Sequence, residues 1–135
     1  MSKRFPTGDI YGDVRAFHEA CNLPSRTRFI GPVPLPADRA KLRGDLLKEE
    51  AKEFRQAAKA GDQAGMLDAA VDIIYVAVGA AVEAGWPLDE AWKRVHAANM
   101  AKRQPDGTVH YREDGKVLKP EGWRSPVMFD LVVEP

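Results

Sequence analysis

The amino-acid sequence predicts an all-α fold, a helical bundle of about four helices per chain that is completed by oligomerisation. Residues 38–103 are rich in Ala, Leu, Glu and Lys, which are common in helices. Gly61 and Gly85 are typical of helix ends, and Asp62 and Pro87 are typical of helix starts. The segment between Asp62 and Gly85 is apolar on almost every side, so a chain of this length is expected to need a partner copy to cover it.

The first predicted helix spans residues 10–21. Thr7 or Asp9 is its expected N-cap, because either side chain can accept a hydrogen bond from a free backbone N–H group. Its apolar face is predicted to consist of Val14, Phe17 and Cys21. Residues 22–37 contain four prolines, which exclude an uninterrupted helix there.

Three more helices are predicted between residues 38 and 103. The second begins near Asp38 and ends at Gly61, and the third begins after Asp62 and ends at Gly85. The fourth begins at Pro87 and ends at about residue 103. Because only a short turn separates the second and third helices, they are expected to be antiparallel neighbours.

The whole chain, residues 1–135, is predicted to be a single domain with a helical core at about 38–103 and a tail at 104–135. Residues 108–119 alternate in polarity around Asp114 and Gly115, which predicts a small hairpin in that tail. Trp86, Trp123 and Tyr75 are expected to pack in the core or in an interface.

Composition excludes several classes of protein. With 20 basic and 20 acidic residues the formal net charge is zero, which argues against nucleic-acid binding through phosphate neutralisation. The single Cys21 excludes a disulfide framework and a cysteine-cage zinc site. No signal-peptide pattern is visible, and the uncharged stretch 73–82 is shorter than the roughly 20 residues that cross a bilayer. A cytoplasmic protein without membrane or nucleic-acid partners is expected.

Acidic residues of the second helix lie on its apolar face. At about 100° per residue, Glu50 and Glu53 fall inside the apolar sector and Glu49 falls at its edge. The opposite face is basic, with Lys41, Lys48, Lys52, Arg55 and Lys59. An ordinary amphipathic helix would place its glutamates with these lysines.

The third helix repeats this pattern. Its polar residues form one stripe, in which Asp68 and Asp72 lie one turn apart and Gly79 and Glu83 lie nearby. Grouped carboxylates without partners would each cost several kcal/mol. A hard divalent cation with oxygen ligands neutralises them, and Mg²⁺ or Mn²⁺ suits such a set.

Two other arrangements would also account for these acids. Salt bridges to Arg39, Arg43 or Lys102 would neutralise the same acids. A di-iron site is disfavoured, because it needs two Glu-x-x-His pairs and no histidine in the sequence follows a glutamate by three residues.

Residues 46–53, Leu-Leu-Lys-Glu-Glu-Ala-Lys-Glu, and residues 68–76, Asp-Ala-Ala-Val-Asp-Ile-Ile-Tyr-Val, resemble the MazG-like, all-α nucleoside triphosphate pyrophosphohydrolase superfamily. Residues 95–102 and 114–119 extend the likeness and indicate its phosphoribosyl-ATP-pyrophosphohydrolase-like branch. The resemblance covers about residues 13–126. One position departs from the family pattern, since Ala69 stands where the family usually has a glutamate, and Asp68 is the neighbouring acid.

The resemblance implies hydrolysis of a nucleoside triphosphate between its α- and β-phosphates, which gives a monophosphate and pyrophosphate. It implies Mg²⁺ as cofactor, with Mn²⁺ as a possible substitute. Glu50, Glu53 and Asp72 are the implied ligands, and Glu49 and Asp68 complete or extend the set. Glu49 is the most plausible general base.

Substrate contacts are expected on the fourth helix, on the hairpin and on the first helix. Asn99 and Lys102 continue the predicted inward stripe formed by Leu88, Trp92 and Val95, and they suit a sugar, base or phosphate. Lys116 and Lys119 are candidates for the phosphate tail, although solvated hairpin lysines are more common. The candidate base-binding residues are Phe17, His18 and Trp92. For His18, a half-exposed helix position is the favoured alternative.

The preferred interpretation is a homodimeric or homotetrameric nucleotide pyrophosphohydrolase that clears or adjusts a nucleotide pool. The second interpretation is a phosphoribosyl-ATP pyrophosphohydrolase of histidine biosynthesis. The third is a helical interaction module without catalytic activity, whose acids pair with arginines.

Overall fold

A computed structural model describes residues 9–26 and 32–133. These residues form five helices, namely α1 (Ile10–Ala20), α2 (Ala37–Ala60), α3 (Gln63–Ala84), α4 (Leu88–Met100) and α5 (Phe129–Val132). No strand forms in this part of the chain, which contains one isolated antiparallel bridge between Tyr111 and Val117. The prediction of an all-α fold is confirmed.

The helix ends follow the local capping signals. Asp9 and Asp62 each accept a hydrogen bond from the backbone N–H three residues further on, and so cap α1 and α3. Gly61 and Gly85 end α2 and α3 with φ angles of 70° and 69°, a left-handed conformation that favours glycine. The alternative cap Thr7 lies outside the described residues.

The hydrophobic core lies around the C-terminal half of α3. Tyr11 and Val14 of α1 pack there against three residues of α3, which are Val78, Ala81 and Val82. Tyr75, Trp86 and Leu88 border this cluster. The core therefore joins α1 to α3, while α2 packs along the other side of α3.

The predicted apolar face of α1 is only partly correct. Val14 is buried, but Phe17 is 46% exposed and Cys21 is exposed. Tyr11 and His18 are buried in their place. Tyr11 and His18 lie next to Phe17 and Cys21 around the helix. Their polar groups find hydrogen-bond partners inside the fold, so these two side chains can be buried.

Glu83 is neutralised within the fold. Its side chain is 1% exposed and accepts hydrogen bonds from the Nε atoms of Arg39, at 2.5 Å, and of Arg43. Burial raises the pKa of this carboxyl group, but the two guanidinium hydrogen bonds outweigh burial and hold the pKa below its usual value. For Glu83 the salt-bridge alternative is therefore correct.

His18 belongs to the same buried network. The Arg43 guanidinium lies over Gly79, where a Cβ atom would overlap it, and reaches His18 Nε2 at 3.4 Å. Because guanidinium groups only donate, Nε2 accepts and the Nδ1–H group donates to the Pro24 carbonyl at 2.8 Å. His18 is 1% exposed, so the expectation of a half-exposed histidine is wrong.

Two contacts fasten the tail to α4. The Arg94 guanidinium donates two hydrogen bonds to Asp130 of α5, at 2.7 and 2.9 Å, and the Trp123 indole donates to the Ala98 carbonyl at 2.7 Å. The predicted hairpin is short: around the turn at Gly115, the Arg112 N–H donates to the Lys116 carbonyl, the Leu118 N–H donates to the His110 carbonyl, and Tyr111 pairs with Val117 in an antiparallel bridge. α5 was not among the predicted helices.

An apolar stripe remains exposed on α3 and continues on α4. Leu67, Val71 and Ile74 are 68%, 51% and 50% exposed, and Trp92 and Val95 of α4 are 70% and 40% exposed. Within one chain, the prediction that Trp92 and Val95 point inward is therefore wrong, whereas the exposure of α3 agrees with the expectation that a single chain cannot cover it. Side chains of this size are normally covered when they line one face.

By length and composition alone, α3 could cross a membrane, with a mean hydropathy of 1.7 over its most apolar window. The core helix of a helical bundle can have the same length and apolar composition. Asp68 and Asp72 lie within α3, and charged groups are costly inside a bilayer. We therefore propose that a second copy of the chain covers the exposed apolar stripe.

We expect Glu83→Gln to lower the free energy of unfolding by about 3–5 kcal/mol, because loss of one partner of a buried ion pair leaves its guanidinium groups uncompensated. Chemical denaturation followed by circular dichroism measures this change. The control is Asp45→Asn, which removes the exposed ion pair with Lys41 and should cost at most about 1 kcal/mol. Equal, small losses in both variants would show that the buried pair does not hold the helices.

We expect the protein to sediment as a dimer or tetramer at micromolar concentration. Val71→Arg should shift it to smaller species, because the variant places a charge in the contact. Lys52→Glu, on the exposed basic face of α2, is the control and should leave the assembly intact. A wild-type monomer in this measurement would exclude self-association through α3.

Candidate functional site

The register of α2 against α3 brings their acids to the same level. Arg39 pairs with Glu83, Glu50 lies eleven residues after Arg39, and Asp72 lies eleven residues before Glu83. Both helices rise about 1.5 Å per residue and run in opposite directions, so Glu50 and Asp72 lie at the same height along the pair. Glu53 lies nearly one turn further along α2, and Asp68 lies about one turn back along α3.

Glu50 is the centre of this group. Its side chain is half-buried, and its Oε2 atom is buried without a hydrogen-bond partner. The pKa of Glu50 is raised, first because burial penalises the charged form and then because Glu53, Asp72 and Asp68 add negative charge around it. A hydrogen bond with Glu53 adds to the same shift. Three of the other four candidate ligands therefore interact with Glu50.

Glu49 is placed differently. It is exposed on α2 and is not among the groups that shift the pKa of Glu50. The structure therefore puts Glu49 at the edge of the acidic group, on the solvent side, as its position on the helical wheel predicts.

The acidic group has no cationic partner in the described ranges 9–26 and 32–133. There, the ion pairs to acids of α2 and α3 are made by Lys41 with Asp45 and by Arg39 and Arg43 with Glu83. Arg39 and Arg43, the alternative partners of the acidic group, thus pair with Glu83 at the other end of the two helices. Burial of an uncompensated carboxylate is costly, so the group is suited to an added cation.

The donor set fits a hard cation, since it consists of carboxylate oxygens, the ligands that Mg²⁺ and Mn²⁺ prefer. The buried Oε2 atom of Glu50 is an acceptor that such an ion would satisfy. Among the described residues, no three acidic, histidine or cysteine side chains already stand at the spacing of a coordination shell. The carboxylates would therefore close around an ion by rotation of their side chains.

Ala69 explains why the second acid of α3 stands at Asp68. Ala69 is 1% exposed, so a larger side chain at that position would need the surrounding helices to repack. Asp68 is exposed at the adjacent position and still lies one turn from Asp72. α3 thus keeps two acids on the side of Glu50, although only Asp72 follows the pattern of the superfamily.

Lysines gather at the C-terminal end of α4. Lys102 Nζ lies 5.5 Å and Lys119 Nζ lies 4.7 Å from the centre of the Trp123 ring. Asn99 is exposed on the last turn of α4. Lys116 lies in the tight turn of the tail, where its backbone N–H donates to Asp114, and it is not one of the lysines over the indole.

A family model described as phosphoribosyl-ATP pyrophosphohydrolase matches residues 14–99, more than half of the chain. The protein belongs to the phosphoribosyl-ATP pyrophosphohydrolase family. The match includes α2 and α3 with their acidic group, and it ends at Asn99. Membership supports a pyrophosphohydrolase-type activity at the level of the family. No curated protein matches the chain.

Lys102, Lys119 and Trp123 all lie beyond the segment that matches the family. The family match therefore does not support the assignment of these residues to phosphate binding. Sequence reasoning missed Trp123, which it assigned to packing. No spacing signal links Trp123 to the two lysines, because the three residues come from separate segments.

The predicted base-binding residues do not form one site within this family member. The Phe17 ring packs edge-on against Tyr75, with ring centres 5.5 Å apart. Trp92 lies elsewhere, on an apolar cavity of about 440 Å³ that Ile73, Ile74 and Leu88 also line. His18 has both ring nitrogens engaged inside the fold, so its assignment to a base edge is corrected.

We expect the stabilisation of this pyrophosphohydrolase-family protein by Mg²⁺ to grow as the pH rises through the pKa of Glu50, which lies above the usual value of a glutamate. Because the pKa of Glu50 is raised in the folded protein, the protonated carboxyl group favours the folded state at low pH. This contribution to stability is lost as the pH rises through the raised pKa. Mg²⁺ needs the ionised carboxylate and offsets this loss. Thermal unfolding with and without Mg²⁺ measures the effect.

The control for this experiment is NaCl at matched ionic strength, which should not reproduce the shift in melting temperature. Glu50→Gln should remove most of its pH dependence. A shift that is the same at both ends of the pH range, or that is unchanged in Glu50→Gln, would contradict a cation site at Glu50.

Proposed function

We propose that this protein is a Mg²⁺-dependent nucleoside triphosphate pyrophosphohydrolase that adjusts or clears a nucleotide pool. The observation that carries the proposal is the acidic group around Glu50, which has no cationic partner among the described residues. Family membership supports the class of reaction. We further propose the cytoplasm as its location, and homo-oligomerisation through the apolar stripe of α3.

The proposed ligands of Mg²⁺ are Glu50, Glu53 and Asp72, with Asp68 and Glu49 at the margin of the site. When bound there, Mg²⁺ would neutralise charge on the phosphates and lower the pKa of a water molecule. The carboxylates of α2 and α3 would supply the oxygens, and the ion pair of Glu83 holds the two helices in register.

The reaction itself is a displacement at the α-phosphorus. A water oxygen forms the new P–O bond, and the bond from the α-phosphorus to the oxygen that bridges the α- and β-phosphates breaks. Pyrophosphate leaves with that oxygen, and the nucleoside monophosphate keeps the water oxygen. Glu49, exposed at the edge of the group, is the proposed acceptor of the water proton.

The proposed contacts to the phosphate chain are Lys102 and Lys119. An ammonium group binds a phosphate as a compact charge with several N–H donors. Asn99, one turn before Lys102, is proposed to contact the sugar, the base or a phosphate. Lys116 stays a weaker candidate, because it lies in the turn rather than beside Lys119 and Lys102.

Phosphoribosyl-ATP is the second candidate substrate, because the matched family is described by that activity. The same bond would break, between the α- and β-phosphates, so the acidic group does not distinguish the two substrates. Direct comparison of phosphoribosyl-ATP with a panel of ribo- and deoxyribonucleoside triphosphates, read by pyrophosphate release, separates them.

We expect Glu50→Gln and Asp72→Asn each to lower pyrophosphate release by at least about 100-fold, because each removes a ligand charge that stabilises the transition state. The far-UV circular dichroism of both variants should match that of the wild type. Turnover is measured with the best substrate of the panel at saturating Mg²⁺.

The control for this prediction is Glu90→Gln, an exposed acid of α4 that pairs with Arg94 and should leave turnover unchanged. Wild-type turnover in both site variants would refute the assignment of the site. A wild-type protein that neither releases pyrophosphate nor gains stability from Mg²⁺ or Mn²⁺ would favour an interaction module without catalytic activity.

A further inference from the structure

Two lysines from separate segments meet at one aromatic ring. Lys102 follows α4 and Lys119 follows the tight turn of the tail, and their ammonium nitrogens lie 5.5 and 4.7 Å from the centre of the Trp123 ring. Like charges repel each other, so their convergence needs an attractive partner. The face of an indole ring supplies one, because its negative quadrupole attracts a cation within about 6 Å.

The indole is itself held in place. Its Nε1–H group donates to the Ala98 carbonyl at 2.7 Å, near the end of α4, and the Trp123 backbone N–H donates to the Pro120 carbonyl at 3.1 Å. Trp123 is half-buried. The ring therefore links the tail to α4 and determines where the two lysine side chains lie.

Neither lysine pairs with an acid in the part of the chain that the structure describes. Each ammonium group has three N–H donors, and its contact with a ring face leaves donors directed away from the ring. The two nitrogens lie no farther apart than the sum of their distances to the ring centre. They therefore present two free positive charges within a short span.

An open pocket borders this arrangement. It has a volume of about 670 Å³, and its lining includes Trp123, Arg103, Arg124 and one acid, Glu121. The Arg103 guanidinium donates to the Gly107 carbonyl and keeps its charge. Positive charge exceeds negative charge around the pocket, which favours a polyanion over a neutral ligand.

We propose that Trp123 is a positioning residue that holds Lys102 and Lys119 together as one phosphate-binding clamp. The clamp recognises a chain of linked phosphates, such as the di- or triphosphate part of the substrate. This inference rests on the proposed function and deepens it, because it gives Trp123 a role in positioning the two lysines.

We expect Trp123→Ala to raise the KM for the best nucleotide about tenfold and to leave kcat within about twofold, because the variant releases both lysines without touching the acidic group. Trp123→Phe should raise the KM only about two- to threefold, because phenylalanine keeps a ring face but loses the hydrogen bond to Ala98. The affinity for inorganic triphosphate, measured by calorimetry, should fall in parallel with these changes.

The matched control is Lys93→Met, which removes an exposed lysine from the same helix and should leave the KM unchanged. Lys102→Met and Lys119→Met should each raise the KM, and their effects should be smaller when they are combined with Trp123→Ala. This loss of additivity separates a clamp from two independent charges. Far-UV circular dichroism checks folding, and if Trp123→Ala fails to fold, Trp123→Phe and the lysine variants carry the test.

An active wild-type protein whose KM is unchanged by Trp123→Ala would overturn the clamp. An equal rise in KM for Lys93→Met would also overturn it, because the effect would then come from overall charge. If the wild type releases no pyrophosphate from any nucleotide, the proposed function fails. The binding of inorganic triphosphate to the wild type and to the Trp123 variants would still decide whether the clamp exists.

Discussion

The ion pair of Glu83 with Arg39 and Arg43 holds the beginning of α2 against the end of α3. It is buried and satisfied, and Gly79 leaves the space that the Arg43 guanidinium needs. Because two antiparallel helices rise equally per residue, a fixed pair at one end determines which residues face each other further along. Glu50 and Asp72 meet for this reason, and the proposed cation site depends on that register.

The acids of α2 and α3 thus lie in opposite electrostatic environments at the two ends of the helix pair. At one end, two arginines neutralise one carboxylate and lower its pKa. At the other end, three carboxylates gather around Glu50 without a cation from the described residues, and the pKa of Glu50 rises. A fold that needed only stability would not gather carboxylates without a counter-charge, because an uncompensated buried charge is costly. The uneven distribution is what a site for an external cation requires, and the lysines of α4 and the tail add the charge that a phosphate chain requires.

Local signals in the sequence predicted the helices well, because Asp62, Gly61 and Gly85 act through their own backbone neighbours. The faces of the helices were harder to predict. His18 is buried in place of Phe17, because the histidine is held by the Pro24 carbonyl and by Arg43, and Arg43 lies on another helix. Helical periodicity placed Glu83 on the same stripe as Asp68 and Asp72. Glu83 differs from these two acids because Arg39 and Arg43 lie beside it, and periodicity carries no information on that contact. The contact of Trp123 with Lys102 and Lys119 joins three separate segments, so no spacing rule could find it.

Anomalous scattering from crystals grown with Mn²⁺ would test the central claim most directly, because manganese can be located without reference to the protein density. The account predicts a manganese peak between α2 and α3, within coordination distance of Glu50, Glu53 and Asp72 carboxylate oxygens. A structure with no peak there, or with these carboxylates each bound to a lysine or an arginine, would contradict it.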